Sequence, residues 1–156
     1  MSMMVPESAW VVTPRGIGPL RVGMTRGEVE AVLGALVPAP GDSGWRQCAF
    51  IAPAGLPAGV RLMVEGGTVA RVDVDSGRAA TAEGARVGDP EAHILDLYTT
   101  RLAKAPLKYR SGHTLTVTPT AAADSALRLV FETDGQRVTR YRAGRRPAVE
   151  YIEGCG

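Results

Sequence analysis

The chain has 156 residues, of which 45% are hydrophobic and 22% charged, a composition that excludes a disordered or fibrous polymer. Its apolar runs fall far short of the roughly 18–20 residues of a membrane-spanning helix, and a formal charge of +2 is too balanced to point to nucleic acid. A four-ligand zinc cluster would consume both cysteines and both histidines, whose spacing fits no finger, so no metal and no cofactor are expected.

One domain is expected over residues 1–156, as a monomer. Met1-Ser2-Met3-Met4 lacks the basic and apolar regions of an export leader. It reads either as a cytoplasmic start or as a short addition before a mature exported domain, and export is the expectation carried forward. Trp10–Thr13 is predicted as an edge strand. Thr25 and Glu28 then make a Thr-x-x-Glu capping box, with Val29, Val32, Leu33 and Leu36 on one helical face and Gly34 and Pro38 as stops. Trp45–Ile51 is predicted as a strand. Gly59–Glu65 alternates apolar and polar residues and turns through Gly66-Gly67 into Thr68–Val74, a hairpin signal. After the linker Ser76–Glu83, Asp89 is the expected N-cap and Pro90 the first residue of a second helix carrying Ile94, Leu97, Tyr98 and Leu102 on one stripe. Three strands follow: His113–Thr118, then Ala126–Glu132, then Gln136–Arg142 after a second hairpin turn at Asp134-Gly135. Val149–Glu153 is predicted to close the sheet.

The chain repeats itself. Arg21-Val22-Gly23 recurs as Arg86-Val87-Gly88 before each helix, and Arg61-Leu62 with Glu65 recurs as Arg128-Leu129 with Glu132. The expected fold is therefore α+β, a tandem repeat of helix plus antiparallel meander over residues 15–75 and 80–153. Neither unit can bury its apolar face alone, so the meanders should join in one continuous antiparallel sheet with both helices on one face.

The helix-opening residues Gly23-Met24-Thr25 with Glu28-Val29, and more loosely Gly88-Asp89 with Ile94, resemble the β-lactamase inhibitor protein architecture and the related small bacterial outer-membrane lipoprotein modules. The resemblance spans nearly the whole chain as a pattern and rests on about a dozen positions. It implies an exported, non-catalytic binding protein.

Cys48 and the penultimate Cys155 are expected to form a disulfide that ties down the C-terminus, which implies a periplasmic or secreted protein. The alternative is two separate thiols, Cys48 buried and Cys155 exposed, and a cytoplasmic location.

Chemistry is weakly signalled. His93 lies on a helix surface, His113 at a strand start, and no Gly-x-Ser-x-Gly elbow is present. Asp73-Val-Asp75-Ser-Gly77 lacks the later ligands of a calcium loop. The outward positions of the strands are more informative. If Val60, Leu62, Val64, Leu127, Leu129 and Phe131 face the helices, then Arg61, Met63, Arg71, Arg128, Val130, Arg140 and Arg142 face away, with Val69 and Val138 beside them and Glu65, Asp73 and Glu132 interleaved. Such a face reads either as a solvated charge ladder or as a recognition surface for an acidic protein. The functional expectation is non-catalytic recognition of a protein partner, including inhibition of a secreted or periplasmic enzyme, through this open arginine-rich face. A small-ligand or lipid-binding module, with a cleft between the helices and the sheet lined by inward residues, is the alternative, and a hydrolase centred on His113 the third reading.

Overall fold

Residues 9–36, 42–108 and 110–155 are described by a computed structural model of the chain. Met1–Met4 and Pro38, which carry expectations above, lie outside those residues. Near the N-terminus Pro14-Arg15 and Gly18-Pro19 break the chain into two-residue strands, β1 (Val12–Thr13), β2 (Gly16–Ile17) and β3 (Leu20–Arg21), paired in a small antiparallel sheet. Trp10–Thr13 therefore does not edge the main sheet as expected. Val12 instead pairs in parallel with Thr81 of the linker.

Helix α1 (Arg26–Leu33) starts where the capping box places it: the Glu28 amide donates to Thr25 Oγ1 at 3.4 Å, and the Thr25 amide to Glu28 Oε1 at 3.1 Å. Such a reciprocal cap is worth about 1 kcal/mol. A short helix, α2 (Asp42–Arg46), takes up the first part of the expected strand Trp45–Ile51, and only β4 (Cys48–Ile51) is extended. The carbonyls at the end of α2 accept the hairpin amides, Arg46 from Gly66 at 2.9 Å and Trp45 from Gly67 at 2.7 Å, which leaves the Trp45 indole buried. These bonds are available because Gly66 and Gly67 both adopt positive φ in the turn between β5 (Val60–Glu65) and β6 (Thr68–Val74).

The second half begins with α3 (Glu91–Leu97), one residue later than expected, because Asp89 uses its carboxylate on the Arg86 amide at 2.9 Å instead of capping the helix. Leu102 does not extend the helical stripe; it starts β7 (Leu102–Pro106), a strand the sequence reading missed. Then follow β8 (His113–Val117), β9 (Leu127–Thr133) and β10 (Val138–Arg145). The turn between β9 and β10 is not a two-residue hairpin. Asp134 keeps negative φ and its Oδ1 accepts the amides of Gln136 and Arg137, both at 2.8 Å.

All seven of these strands form one open antiparallel sheet in the order β4-β5-β6-β10-β9-β8-β7, so the two meanders meet through β6 and β10. On the first face Val60, Leu62, Val64, Leu129, Phe131 and Tyr141 join Val29 of α1, Trp45 of α2 and Ile94 of α3 in one buried apolar cluster. Phe131 sits at its centre between Tyr98 and Tyr141, with ring centroids 5.7 and 5.3 Å away.

Both β6 and β10 carry a bulge after their first residues. In β6 the register slips between the pairs Val64–Val69 and Met63–Arg71, and in β10 between Val138–Thr133 and Arg140–Glu132. A bulge reverses the side-chain alternation behind it. Val69 and Val138, expected outward, therefore point into the core, while Arg71, Asp73, Arg140 and Arg142 keep the outward register. Each bulged strand also docks its Arg-Val-Gly loop in the same way. Gly23 donates to Val69 O and Val69 to Met24 O, at 2.8 and 2.9 Å; Gly88 donates to Val138 O and Val138 to Asp89 O, at 2.8 and 2.9 Å.

Val149–Glu153 does not close the sheet. Residues 148–150 form a single 3-10 turn, and the chain from 146 to 155 crosses the second face of the sheet as a strap. Its end is fixed by a Cys48–Cys155 disulfide with 5.6 Å between the Cα atoms.

Candidate functional site

The outward arginines do not form an open surface. Arg71 is 2% exposed, Arg142 3%, Met63 0% and Val130 2%, because the strap lies over them. The reason is the chemistry of the strap's backbone. Each carbonyl has two lone pairs, and those the strap's own hydrogen bonds leave over accept from guanidinium groups beneath. Arg71 Nη1 donates to Ala148 O and to Tyr151 O, both at 2.8 Å, and Arg142 Nε donates to Val149 O at 2.6 Å. Ala148 packs on Met63 and Ala70, with Phe50 and Cys48 alongside.

Each buried guanidinium is also matched by a carboxylate. Arg71 grips Asp73 through two bonds of 2.8 and 3.0 Å. Glu132, fully buried, receives Arg142 on Oε2, and Arg140 at 3.0 Å and Arg110 at 3.4 Å on Oε1. Burial alone would raise the Glu132 carboxyl, but the hydrogen bonds and charges of Arg142 and Arg140 hold it below the usual glutamate range. At Asp73, with a single direct partner, burial wins and pushes the carboxyl up; it likewise lowers the Arg71 guanidinium. Arg61 is half-buried, with its guanidinium carbon 4.4 Å from the centre of the Phe50 ring. Arg128 turns back onto the carbonyls of Ser125 and Leu127 at 2.8 and 2.6 Å. The seven residues expected to bind a partner are thus an internal layer of Met63, Arg71, Val130 and Arg142, with three half-buried arginines, Arg61, Arg128 and Arg140, at its border.

His113 has an acidic neighbour. Its Nδ1 lies 2.6 Å from Glu91 Oε1, which also accepts the Thr133 hydroxyl at 2.6 Å, while Lys104 Nζ lies 3.2 Å from Oε2. Burial would raise Glu91, but the hydrogen bonds from Thr133, His113 and Lys104 bring it below its ordinary range. A hydrolytic dyad needs a hydroxyl or thiol on the base, not on the orienting acid. Here the hydroxyl is spent on Glu91, and among the described residues His113 bonds no nucleophile. The cluster ties the first turn of α3 to β7, β8 and β9. His93 is exposed and lies 3.1 Å from Asp89 Oδ2. Among the described residues no group of three or more His, Cys, Asp or Glu side chains could hold a metal ion, and no helix is long and apolar enough to cross a membrane.

A groove of about 1030 Å³ lies at the end of the sheet where β5 begins and β6 ends. One wall is the β1 segment with Trp10 and Val11, held against the linker by Val12 N to Ala80 O and Ala82 N to Val12 O, both 3.0 Å. The other is the loop between β4 and β5, with Leu56 and Pro57. Ala79 and Ala80 line it between these walls, and the Tyr141 hydroxyl fixes Ala79 by donating to its carbonyl at 2.8 Å. The loop is locked to the linker by two glycines at φ +81: a Cβ on Gly59 would lie 2.2 Å from Ser76 O, and one on Gly77 2.3 Å from Ala58 O. Backbones this close leave no room for side chains, which makes that wall rigid. Among the described residues no carboxylate lines the groove, whereas Arg78 and Arg86 do.

The sequence reading did not gather these residues into a site: it left residues 52–58 unassigned and treated Ser76–Glu83 as a linker. The available signal was Leu56-Pro57 and Arg78 within segments otherwise made of small residues.

No protein-family model matches the chain, and no curated protein matches it. A solved structure similar to it is the uncharacterised protein YfeY of Escherichia coli, at 13% identity and a TM-score of 0.46, covering 86% of this chain and 99% of that one. A likeness of that degree carries no argument about function.

Proposed function

We propose that this is a non-catalytic, extracytoplasmic binding protein that takes a small apolar ligand in the groove beside Trp10. The observation that carries this reading is the groove itself. Its volume of about 1030 Å³ is at the upper end of the range for ligand pockets, and it is walled by Trp10, Val11, Leu56, Pro57, Ala79 and Ala80. Protein recognition through the arginine face loses its support because the chain's own strap occupies that face. The disulfide supports an oxidising compartment. Descent from a duplicated unit of the β-lactamase-inhibitor type remains a proposal, supported by the two identically docked Arg-Val-Gly loops and the two matching bulges.

The test is a titration with N-phenyl-1-naphthylamine, an uncharged dye that fluoresces in apolar surroundings. Saturable one-to-one enhancement is expected, together with a change in Trp10 emission. Ala58→Trp, at an exposed lining position, should fill the groove and weaken binding about tenfold or more. Absence of saturable binding, or binding indifferent to Ala58→Trp, would refute the site.

A further inference from the structure

We infer, resting on the groove reading above, that the ligand is a single-chain amphiphile with an anionic head, its chain along Trp10, Leu56 and Pro57 and its head at Arg78 and Arg86. The argument is one of partners. Most described arginines in this protein are engaged: with carboxylates (Arg15, Arg26, Arg71, Arg110, Arg140, Arg142, Arg146), with backbone carbonyls (Arg128, Arg137, Arg145), or with aromatic rings (Arg61, Arg101). Among the described residues only Arg21, Arg46, Arg78 and Arg86 have side chains without a hydrogen bond, ion pair or ring contact, and two of these line the same groove.

The surroundings define the ligand's chemistry. Among the described residues no acidic side chain lining the groove competes for the two guanidiniums, and both are exposed, so each has donors to offer an anion. Beside them the side chains of the wall are an indole, a valine, a leucine, a proline and alanines, which offer dispersion and desolvation to an apolar chain. An apolar chain with a charged end satisfies both halves. The linker carries Arg78, Ala79 and Ala80 in consecutive positions, so the cationic and apolar parts of the site lie on one fixed segment.

The experiment is displacement of bound N-phenyl-1-naphthylamine from the full chain by dodecanoate, dodecanol and a lauroyl lysophosphatidylglycerol, each below its micellar range. Dodecanoate should displace the dye at about tenfold lower concentration than dodecanol, as expected for charge-assisted hydrogen bonds to exposed arginines. The gap should close in Arg78→Ala/Arg86→Ala, persist in Arg78→Lys/Arg86→Lys, and shrink in 0.5 M salt. Shortening the chain by one methylene should weaken binding by up to about fourfold. Tighter displacement by dodecanoate assigns a free carboxylate; tighter displacement by the lysolipid assigns a phosphodiester head, and both support an anionic amphiphile. If the dye binds but dodecanol competes as well as dodecanoate, or the double Ala variant keeps the gap, the inference falls and the groove reading stands. If the dye does not bind saturably, both fall.

Discussion

Glu132→Gln is the sharpest test of the buried arginine layer. The substitution keeps the shape of the side chain and removes its charge. Glu132 is fully buried, and its partner Arg142 is 3% exposed, so the guanidinium left behind cannot recover its hydration. Breaking one member of such a pair costs about 3–5 kcal/mol, because the remaining ion stays buried without compensation. A chain of this size loses about 2–4 °C per kcal/mol, which corresponds to a fall in Tm of about 10 °C. Had these residues been a solvated ladder, each pair would contribute about 0.2–1 kcal/mol and the variant would be nearly silent.

Urea unfolding followed by tryptophan emission and circular dichroism measures the difference, with an unchanged m-value as the check that the folded state is the same. A double-mutant cycle with Arg142→Met isolates the pair. In the Arg142→Met background the loss from Glu132→Gln should shrink by about 2 kcal/mol, leaving the weaker contributions of Arg140 and Arg110. A loss below about 1 kcal/mol for the single variant, or simple additivity in the cycle, would refute the buried-layer account.

The strap and the pH dependence give the remaining predictions. Cys48→Ala/Cys155→Ala opens a link spanning 107 residues and should lower stability by about 4–5 kcal/mol on the chain-entropy estimate, read as a shift in urea midpoint that reductant reproduces in the parent protein and not in the variant. The acid limb follows from Glu132 and Glu91, both held below their ordinary value of 4.5: their contribution is complete above that value and is lost as pH falls through the lower native values. Asp73, pushed up by burial, works in the opposite sense, and Glu91→Gln should flatten the limb. On the alkaline side burial raises Tyr98 and Tyr141, so their contribution is complete below about 10 and disappears above it. Circular dichroism across both limbs checks the signs.

Much of the fold was legible because it depends on side-chain pattern. The capping box at Thr25 and Glu28, the alternation in β5 and β9 and the Gly66-Gly67 turn follow from residue types at fixed spacing, and the Cys48–Cys155 link was expected because the chain has two cysteines, one of them penultimate. The errors share a different cause. Val69 and Val138 were placed outward because strict alternation contains no signal for a one-residue bulge. Asp134-Gly135 was read as a two-residue turn, although the Asp134 carboxylate can close a longer loop on its own amides. The strap was misjudged for a deeper reason. Arg71 and Arg142 are fixed by the carbonyls of Ala148, Tyr151 and Val149, and every residue has a carbonyl. Nothing in the sequence marks which backbone will come to lie on an arginine, so a face covered by its own terminus has the same strand pattern as one left for a partner.

That covering moves the candidate site. The helices take one face of the sheet and the strap crosses the other, where cavities of about 340 and 430 Å³ remain along its border. The outer edge at β7 carries Lys104 and Pro106, residues that oppose the addition of another strand. At the end of the sheet the constraint differs: strands stop, and Gly59 and Gly77 bring two loops together so closely that they form a wall instead of a core. Apolar residues from three distant segments, Trp10, Leu56-Pro57 and Ala79-Ala80, converge on that wall without closing over it. The same linker brings Arg78 there without an acidic partner, in a protein whose buried arginines each have one. The charge arrangement that makes the second face self-contained is thus incomplete at the groove, and an anion supplied from outside would complete it.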